Sequence, residues 1–241
     1  MRCLSLFLGM MLLFPALVSA GQVETTYTLH VSLSAETDDL DAVITVIERR
    51  LAQSGYALAT VATTDKNQID IAIEGTVNHL LTISYNLVPL VTTPGLLEFV
   101  AFDFASEDGS CVVTTAQIEF YGKPFPCEDQ TVYETVLAGE IIRDATANVS
   151  SYAPDQWEIT FAMTDEGSEQ FGAYTESHIG ELLGIVVDGT VISTPTIQSR
   201  ISGEGMITGQ FTQQEAQRLA DVLNSGALPG LVELVEIRIV K

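Results

Sequence analysis

Strand-like and helix-like hydrophobic patterns follow one another in a fixed order near the start of the chain, and this order constrains the fold more than any other feature. Residues 25–34 alternate apolar and polar side chains, as a strand with one buried face does. A helix pattern follows at 40–51, where apolar residues recur every three or four positions. Asp38 or Asp39 can cap the start of this helix, and Gly55 can end it.

Four further patterns complete this unit. Residues 57–62 and 69–73 have the composition of two short strands joined in a hairpin. A second helix pattern covers 76–87, and a strongly apolar strand pattern covers 96–102. The resulting order is β-α-β-β-α-β, which favours a ferredoxin-like sandwich with helices on one face of an antiparallel sheet. We therefore predict an α+β fold.

The composition changes from residue 104, where Ser, Glu, Asp and Gly begin to dominate, and the polar sequence continues to about residue 155. We interpret this change as the start of an inserted subdomain. Within it, residues 157–163 alternate as a strand, and Thr164 opens a helix. The Asp188-Gly189 pair between two apolar runs predicts a hairpin turn.

The end of the chain predicts one more helix and a final strand. Thr212 and Glu215 have the spacing of a capping box, and Gly226 stops the helix. Residues 231–240 alternate, and we expect this strand to return to the first sheet. The predicted organisation is a ferredoxin-like base at residues 21–103 and 210–241, with an inserted α+β head at residues 104–209.

Residues 1–20 have the order of a secretory signal peptide. Arg2 precedes an apolar run, and small residues ending at Ala20 form a cleavage site. The run is near the lower limit of about 17 residues for a helix that spans a bilayer, so an uncleaved anchor is the alternative. No cysteine follows the run where a lipid anchor would need one. We expect an exported, soluble mature chain, periplasmic or extracellular, and membrane-tethered if the signal is retained.

The chain is strongly acidic, with 32 Asp and Glu against 10 Lys and Arg and a net charge of −22. Such a charge repels the phosphates of nucleic acids and of anionic lipids, so we expect no binding to nucleic acid and no direct binding to anionic membranes. Two interpretations stay open for the charge itself. It can attract cationic segments of unfolded polypeptide, or it can simply keep the surface solvated.

Signal removal would take away Cys3 and leave Cys111 and Cys127 as a single pair. In an oxidising compartment such a pair predicts a disulfide. The loop between them contains glycines and prolines and little that could form a core, and closing it would stabilise the fold by about 3 kcal/mol. No further ligands lie at the spacing that a metal site would need.

The last quarter of the chain carries motifs that occur together in a known family. The hairpin ends in a Ser-x-Pro, a Gly precedes a Phe-Thr helix cap, and a Ser-Gly-Ala-Leu-Pro run follows the helix. The residues are Asp188, Gly189, Ser193, Pro195, Gly209, Phe211, Thr212, Glu215, Ala216, Gly226, Leu228 and Pro229. The chain resembles the SecD family of membrane subunits that assist protein export. The resemblance implies the family's first extracytoplasmic region, with a base and an inserted head, and a structural role for these residues.

The chain ends at Lys241, before the later transmembrane helices that the resemblance would add, so we expect it not to run a proton-driven cycle by itself. The cysteine pair has no counterpart in the family pattern. The resemblance implies an export accessory whose partners are polypeptide clients or export-complex subunits. Two chain crossings, expected near Phe104 and Gly209, would let the head hinge on the base. The alternative is a repurposed interaction or structural module of the cell envelope.

Catalysis is not predicted. His30, His79 and His178 lie in separate elements without partners at metal-ligand spacing, and no nucleophile elbow, zinc-protease motif or phosphate loop occurs. Carboxylate pairs such as Asp165-Glu166 are expected by chance in so acidic a chain. We predict no cofactor, and a hydrolase remains a third hypothesis that would need convergent carboxylates in a pocket.

Overall fold

A computed structural model describes residues 25–65, 67–103, 108–151 and 153–241. The helices are α1 Leu40–Gln53, α2 Val77–Thr92, α3 Thr115–Tyr121, α4 Asp165–Ser177 and α5 Gln213–Ser225. The strands are β1 Tyr27–Glu36, β2 Thr60–Asp65, β3 Gln68–Gly75, β4 Leu97–Phe102, β5 Val113–Thr114, β6 Val132–Tyr133, β7 Thr135–Ala138, β8 Ile142–Val149, β9 Trp157–Met163, β10 Leu182–Val187, β11 Thr190–Ser193, β12 Glu204–Phe211 and β13 Leu231–Val240. The predicted signal peptide lies outside the described residues.

The first sheet has the strand order β13-β1-β3-β2, and all three pairings are antiparallel. The alternation of β1 places Leu29, Val31 and Leu33 on a fully buried face. Side chains from α1 and α2, among them Ile47 and Leu80, cover that face and complete the first core. The predicted α+β class is confirmed, and helices cover one face of an antiparallel sheet as expected.

One strand assignment in the predicted base is wrong. The strand at 97–102 does not join the first sheet; β13 occupies the place beside β1 instead. The physical reason is burial, because nearly every residue of β4 is buried on both faces. Such a strand needs covering layers on both sides, whereas β1 and β13 share a sheet that only one helix layer covers. The prediction that residues 231–240 return to the first sheet is confirmed.

The remaining strands form a second core. One sheet has the order β11-β10-β4-β7, and another has the order β12-β9-β8. Helices α4 and α5 share this core with both sheets, with Phe171 against Phe99 at a ring distance of 4.6 Å and Ala216 fully buried. On this basis we propose that the base comprises residues 27–92 and 227–240, with α5 and β4 belonging to the head part that lies between them.

Two local predictions are confirmed. Asp188 and Gly189 both have positive φ, at 48° and 75°, which is the turn geometry that a tight hairpin between β10 and β11 requires. Thr212 accepts a hydrogen bond from the Glu215 N–H and Glu215 accepts one from the Thr212 N–H, so α5 starts with a complete capping box.

The expectation that the loop between the two cysteines contains little that could form a core is wrong. The loop contains α3, and Val112 and Val113 are buried within it, while β8 lies further along the chain. The strand signal of β8 was weak in the sequence, because most of its residues are not buried and apolar and polar residues therefore do not alternate cleanly.

The disulfide between Cys111 and Cys127 is confirmed, with a Cα–Cα distance of 5.8 Å. Replacing both cysteines by serine should lower the free energy of unfolding by about 3 kcal/mol, because the unfolded chain regains the freedom of a closed loop. Urea unfolding of the wild type and the double variant measures the difference. Equal unfolding free energies under oxidising conditions would contradict this expectation, and the wild type in reductant should match the double variant.

Candidate functional site

A cleft of about 650 Å³ lies where the two cores meet. Its walls come from α1, from the segment after α2, from α3, from the β7–β8 connection and from the end of α5. Arg49, Glu119, Glu140 and Arg143 supply charges of both signs to its lining. Small residues and backbone form much of the rest, so the cleft presents a mixed surface rather than a specific polar constellation.

Phe120 and Arg49 line the cleft from different parts of the fold. Phe120 lies on α3, lines the cleft and is 46% exposed, which is high for an aromatic side chain. Arg49 lies on α1 and donates a 2.8 Å hydrogen bond to the Ser225 carbonyl at the end of α5. The cleft therefore joins a fixed cationic group from the base to an accessible aromatic ring from the head.

Arg50 is fully buried and binds both chain segments that connect the two cores, at residues 93–96 and 226–229. These two segments are called the crossings below. Its Nη2 donates to the Pro94 and Gly226 carbonyls at 3.1 and 3.0 Å. Its remaining bonds go to the Ser225 hydroxyl and to the Leu90 and Thr93 carbonyls. These carbonyls belong to helix ends and the segments after them, where backbone acceptors otherwise lack partners. Burial lowers the pKa of Arg50 to about 10, so the side chain stays charged at neutral pH.

The same crossings contact each other directly, since the Leu228 N–H donates to the Pro94 carbonyl at 2.8 Å. With the division proposed above, the crossings lie at residues 93–96 and 226–229 instead of near Phe104 and Gly209, where the sequence suggested them. Gly95 has a φ of 80°, and a Cβ there would lie 2.3 Å from Val222 Cγ1. Only glycine fits this close crossing without displacing α5.

Asp188 fixes the other side of the first crossing. Its Oδ1 accepts a hydrogen bond from the Leu96 N–H at 2.8 Å. Burial raises the pKa of Asp188 to about 6, although the bonds from Leu96 and Gly95 and the charge of Arg50 oppose that rise. The first crossing is thus held between a buried cation and a partly buried carboxyl.

Glu98 lies close to this arrangement and is fully buried. Its Oε1 accepts hydrogen bonds from the hydroxyls of Thr114 and Thr135, while among the described residues its Oε2 has no partner. Burial raises the pKa of Glu98 and also that of Tyr121. Through these two hydroxyls the Glu98 carboxyl links β4 to the residue that caps α3 and to β7.

The raised pKa of Asp188 predicts how stability changes with pH. A carboxyl whose pKa is higher in the folded state binds more protons when folded, so its contribution falls as pH rises from about 4 to about 6. Asp188→Asn keeps the acceptor oxygen and removes the titration. Between these pH values the free energy of unfolding of the variant should therefore rise by about 2 kcal/mol relative to that of the wild type.

Urea unfolding at several pH values checks this prediction. The matched control is Asp155→Asn, since Asp155 is exposed. The difference between wild type and control should stay constant with pH. If the free energy of unfolding of Asp188→Asn changed with pH in the same way as that of the wild type, the assigned role would be contradicted. The titratable groups that interact electrostatically with Asp188 are Arg50, Glu98 and Tyr121. The charge of Asp188 raises the pKa of each of them, so Asp188→Asn also removes that influence.

Of the predicted motif residues, Gly226 is the one that lines the cleft. Asp188, Gly226 and Leu228 lie at the crossings, and the Pro229 carbonyl accepts a hydrogen bond from Thr37. The others lie elsewhere in the fold, where Ser193 ends β11, Pro195 accepts from Leu183, Gly209 packs against Phe211, and Thr212, Glu215 and Ala216 begin α5.

The three histidines lie apart from the cleft and from each other. The Nδ1 of His30 is 2.7 Å from Asp70 Oδ2 across β1 and β3, and His178 stacks on Tyr174. Within the described part of the chain, no group of three or more His, Cys, Asp and Glu side chains could hold a metal ion. No helix in that part is long and apolar enough to cross a membrane.

The sequence reasoning missed Arg50 and Glu98. A signal was present for Arg50, since it falls on the buried face of α1 beside Ile47 and Leu51. A charged residue within an apolar helical stripe indicates a buried polar contact. For Glu98 the corresponding signal is a carboxyl inside a continuous apolar strand.

Comparison with known proteins finds a matching family model, similar sequences and similar solved structures. The family model for the SecDF P1 head subdomain matches residues 116–230. The SecD protein translocase subunit of Elusimicrobium minutum is 30% identical over 235 residues, which cover 85% of this chain and 47% of that protein. The chain is a relative of SecD. The SecD subunit of Leptotrichia buccalis is 29% identical over 217 residues, covering 90% of this chain and 46% of that protein.

Solved SecDF structures agree with the SecD relationship. A crystal structure of SecDF in a super-membrane-facing form matches with a TM-score of 0.70 and 26% identity over 88% of this chain and 30% of that one. A second structure, of a membrane component SecDF that enhances protein export, matches with a TM-score of 0.66 and 25% identity over 87% of this chain and 99% of that one. The chain spans less than half the length of the SecD relatives named above.

Proposed function

We propose that this SecD relative is an accessory of protein export that acts outside the cytoplasm and receives extended polypeptide in the cleft between its two cores. The observation that carries the proposal is the SecD match, which extends over both cores and therefore over both walls of the cleft. Partners are then polypeptide clients or subunits of the export complex. The predicted signal at residues 1–20 would bring the chain to that compartment and tether it there if retained.

The cleft suits a ligand of variable sequence. Its volume of about 650 Å³ falls within the range of roughly 300–1,000 Å³ that is common for ligand sites. Phe120 offers an apolar contact, while Arg49 and Glu140 offer charges of opposite sign. Small residues such as Gly139 and Ala227 leave backbone accessible for hydrogen bonding. A surface of this kind favours many weak contacts over recognition of one side chain.

The two adjacent crossings support a hinge between the parts. Only the segments at 93–96 and 226–229 connect the proposed base to the proposed head, and Arg50 binds both. Domains joined by two neighbouring crossings can rotate about them. Rotation would widen or narrow the cleft, because its lining comes from both parts.

Crosslinking in the native host, followed by recovery of the full chain and mass spectrometry, tests the export proposal. Translocon subunits or diverse exported chains should be recovered, and Phe120→Ser should reduce their yield. The matched control is Ile179→Ser, because Ile179 is 57% exposed and lies outside the cleft. A single unrelated envelope partner, or equal recovery from both variants, would favour a repurposed envelope module.

A further inference from the structure

A network of hydrogen bonds joins the buried carboxyl of Glu98 to the start of α3. The hydroxyls of Thr114 and Thr135 both donate to Glu98 Oε1. Thr114 Oγ1 accepts a bond from the Gln117 N–H at 3.3 Å, and Thr135 Oγ1 accepts one from the N–H of Ala116 at 3.2 Å. Because each hydroxyl gives its single proton to the carboxyl, Glu98 orients both oxygens toward N–H groups that the first turn of a helix otherwise leaves unpaired.

The elements that this network joins also form one wall of the cleft. Helix α3 contributes Ala116, Glu119 and Phe120 to the lining. Strand β4 contributes Leu97, the neighbour of Glu98 in the sequence. A change at Glu98 that loosens the start of α3 therefore also changes the wall of the cleft.

The interior around Glu98 offers little that stabilises a negative charge. The side chain is fully buried, and its Oε2 has no hydrogen-bond partner among the described residues. None of the ion pairs in that part of the chain includes Glu98. A buried carboxylate without a cationic partner is costly, so a carboxyl in this position holds a proton more readily than an exposed one.

The titratable neighbours of Glu98 act in the same direction. Burial raises the pKa of Glu98, and the charge of Asp188, in the turn after β10, adds to that rise, although the two threonine hydroxyls oppose it. From α3, the phenol of Tyr121 is buried and its pKa is raised, so it carries no charge at neutral pH. The cation of α1, Arg50, acts on Asp188 and on Tyr121.

We propose that Glu98 binds a proton while α3 is held in place and releases it to solvent when the start of α3 detaches, so that the α3 wall of the cleft loosens as pH rises. Detachment lets water reach the carboxylate and hydrate the oxygen that has no partner in the interior. Control of polypeptide entry by this wall rests on the proposed function, whereas proton binding by Glu98 does not.

Proton linkage sets the size of the effect. The detached state binds fewer protons than the attached state, because its exposed carboxyl has the ordinary pKa of about 4.3. From that value up to the raised pKa of the attached state, each pH unit should increase the equilibrium constant for detachment about tenfold. Glu98→Gln should abolish this dependence, since the amide oxygen still accepts from both hydroxyls but no proton can leave.

Hydrogen exchange of the purified full chain, followed by mass spectrometry, measures the detachment. After correction for the intrinsic rate of amide exchange, the wild-type peptide that contains α3 should exchange up to about tenfold faster per pH unit. Glu98→Gln should lose this increase. The matched control is Glu134→Gln, because Glu134 is exposed next to Thr135, and it should behave as the wild type does.

The comparison with β1 distinguishes detachment of α3 from unfolding of the whole chain. In the wild type, amides of α3 should exchange faster than those of β1 at every pH, because a local opening needs less free energy than a global one. Equal rates in α3 and β1, or a wild-type α3 peptide whose corrected rate does not rise with pH, would overturn the proposal even if Glu98→Gln failed to fold.

Infrared difference spectroscopy detects the proton itself. When the pH of the wild type is raised, the carbonyl stretching band of a protonated carboxyl should disappear. Glu98→Gln should lack this change, and Glu134→Gln should show it, while Asp188 contributes to all three spectra. Identical difference spectra for wild type and Glu98→Gln would overturn the proposal. Both measurements use the chain without a polypeptide client, so their failure would leave the export proposal standing.

Discussion

Replacing Arg50 by methionine should lower the free energy of unfolding by about 3–5 kcal/mol, the largest effect that we expect from one substitution in this chain. Methionine fills a similar volume but donates no hydrogen bonds. The Leu90, Thr93 and Gly226 carbonyls would lose the hydrogen bonds that Arg50 donates to them, whereas the Pro94 carbonyl would keep its bond from the Leu228 N–H. Urea unfolding monitored by circular dichroism measures the loss.

The neighbouring residue provides the control for Arg50. Arg49→Met removes the same functional group from the same helix, but Arg49 is exposed and makes a single bond to the Ser225 carbonyl. Its loss should cost about 1 kcal/mol. Arg50→Lys should fall between the two, since an ammonium keeps the charge without the planar fork that reaches both crossings. Equal effects of Arg49→Met and Arg50→Met would refute the role assigned to Arg50.

Gly95→Ala should lower the free energy of unfolding by about 4 kcal/mol, from backbone strain and overpacking together. Part of the cost is backbone strain, because the residue has a φ of 80°. The rest is steric, since the new Cβ would lie 2.3 Å from Val222 Cγ1 and 2.8 Å from Arg50 Nη2. The crossing would have to shift, and with it the contact between the two cores.

A double-mutant cycle with Val222→Ala separates the two costs for Gly95. Removing the Val222 methyl groups relieves the shorter contact but leaves the backbone strain. The double variant should therefore be less destabilised than the sum of the single variants by about 1–2 kcal/mol. Gly55→Ala is the strain-only control, because Gly55 also has positive φ but a Cβ there meets no atom within 4 Å. Additive effects of Gly95→Ala and Val222→Ala would contradict a steric crossing.

Many individual helices and strands could be predicted from sequence because their signals are local. The stripe of α1, the alternation of β1 and the capping box of α5 each depend on a few neighbouring residues, and all three are confirmed. Which strand pairs with which is not decided by neighbouring residues in the sequence. Both β4 and β13 were predicted as strands, and only the burial of β4 on two faces decides that β13 lies beside β1. The continuous apolar run in β4 carries that information.

The cleft could not be predicted from sequence in the same way. Its lining comes from Arg49, Gly95, Phe120, Glu140 and Gly226, which are far apart along the chain. Each of these residues has an ordinary local interpretation as a helix surface, a turn or a helix stop. Their meeting depends on how two cores pack, which local periodicity does not report.

Site-specific photo-crosslinking during export tests the central claim most directly. A photoreactive phenylalanine analogue at Phe120 should form adducts with a translocating reporter chain in living cells, because this side chain lines the cleft and is accessible. The same analogue at Leu58, which is exposed outside the cleft, should not. Adducts at both positions, or at neither while the reporter is exported, would contradict a role of the cleft in receiving exported polypeptide.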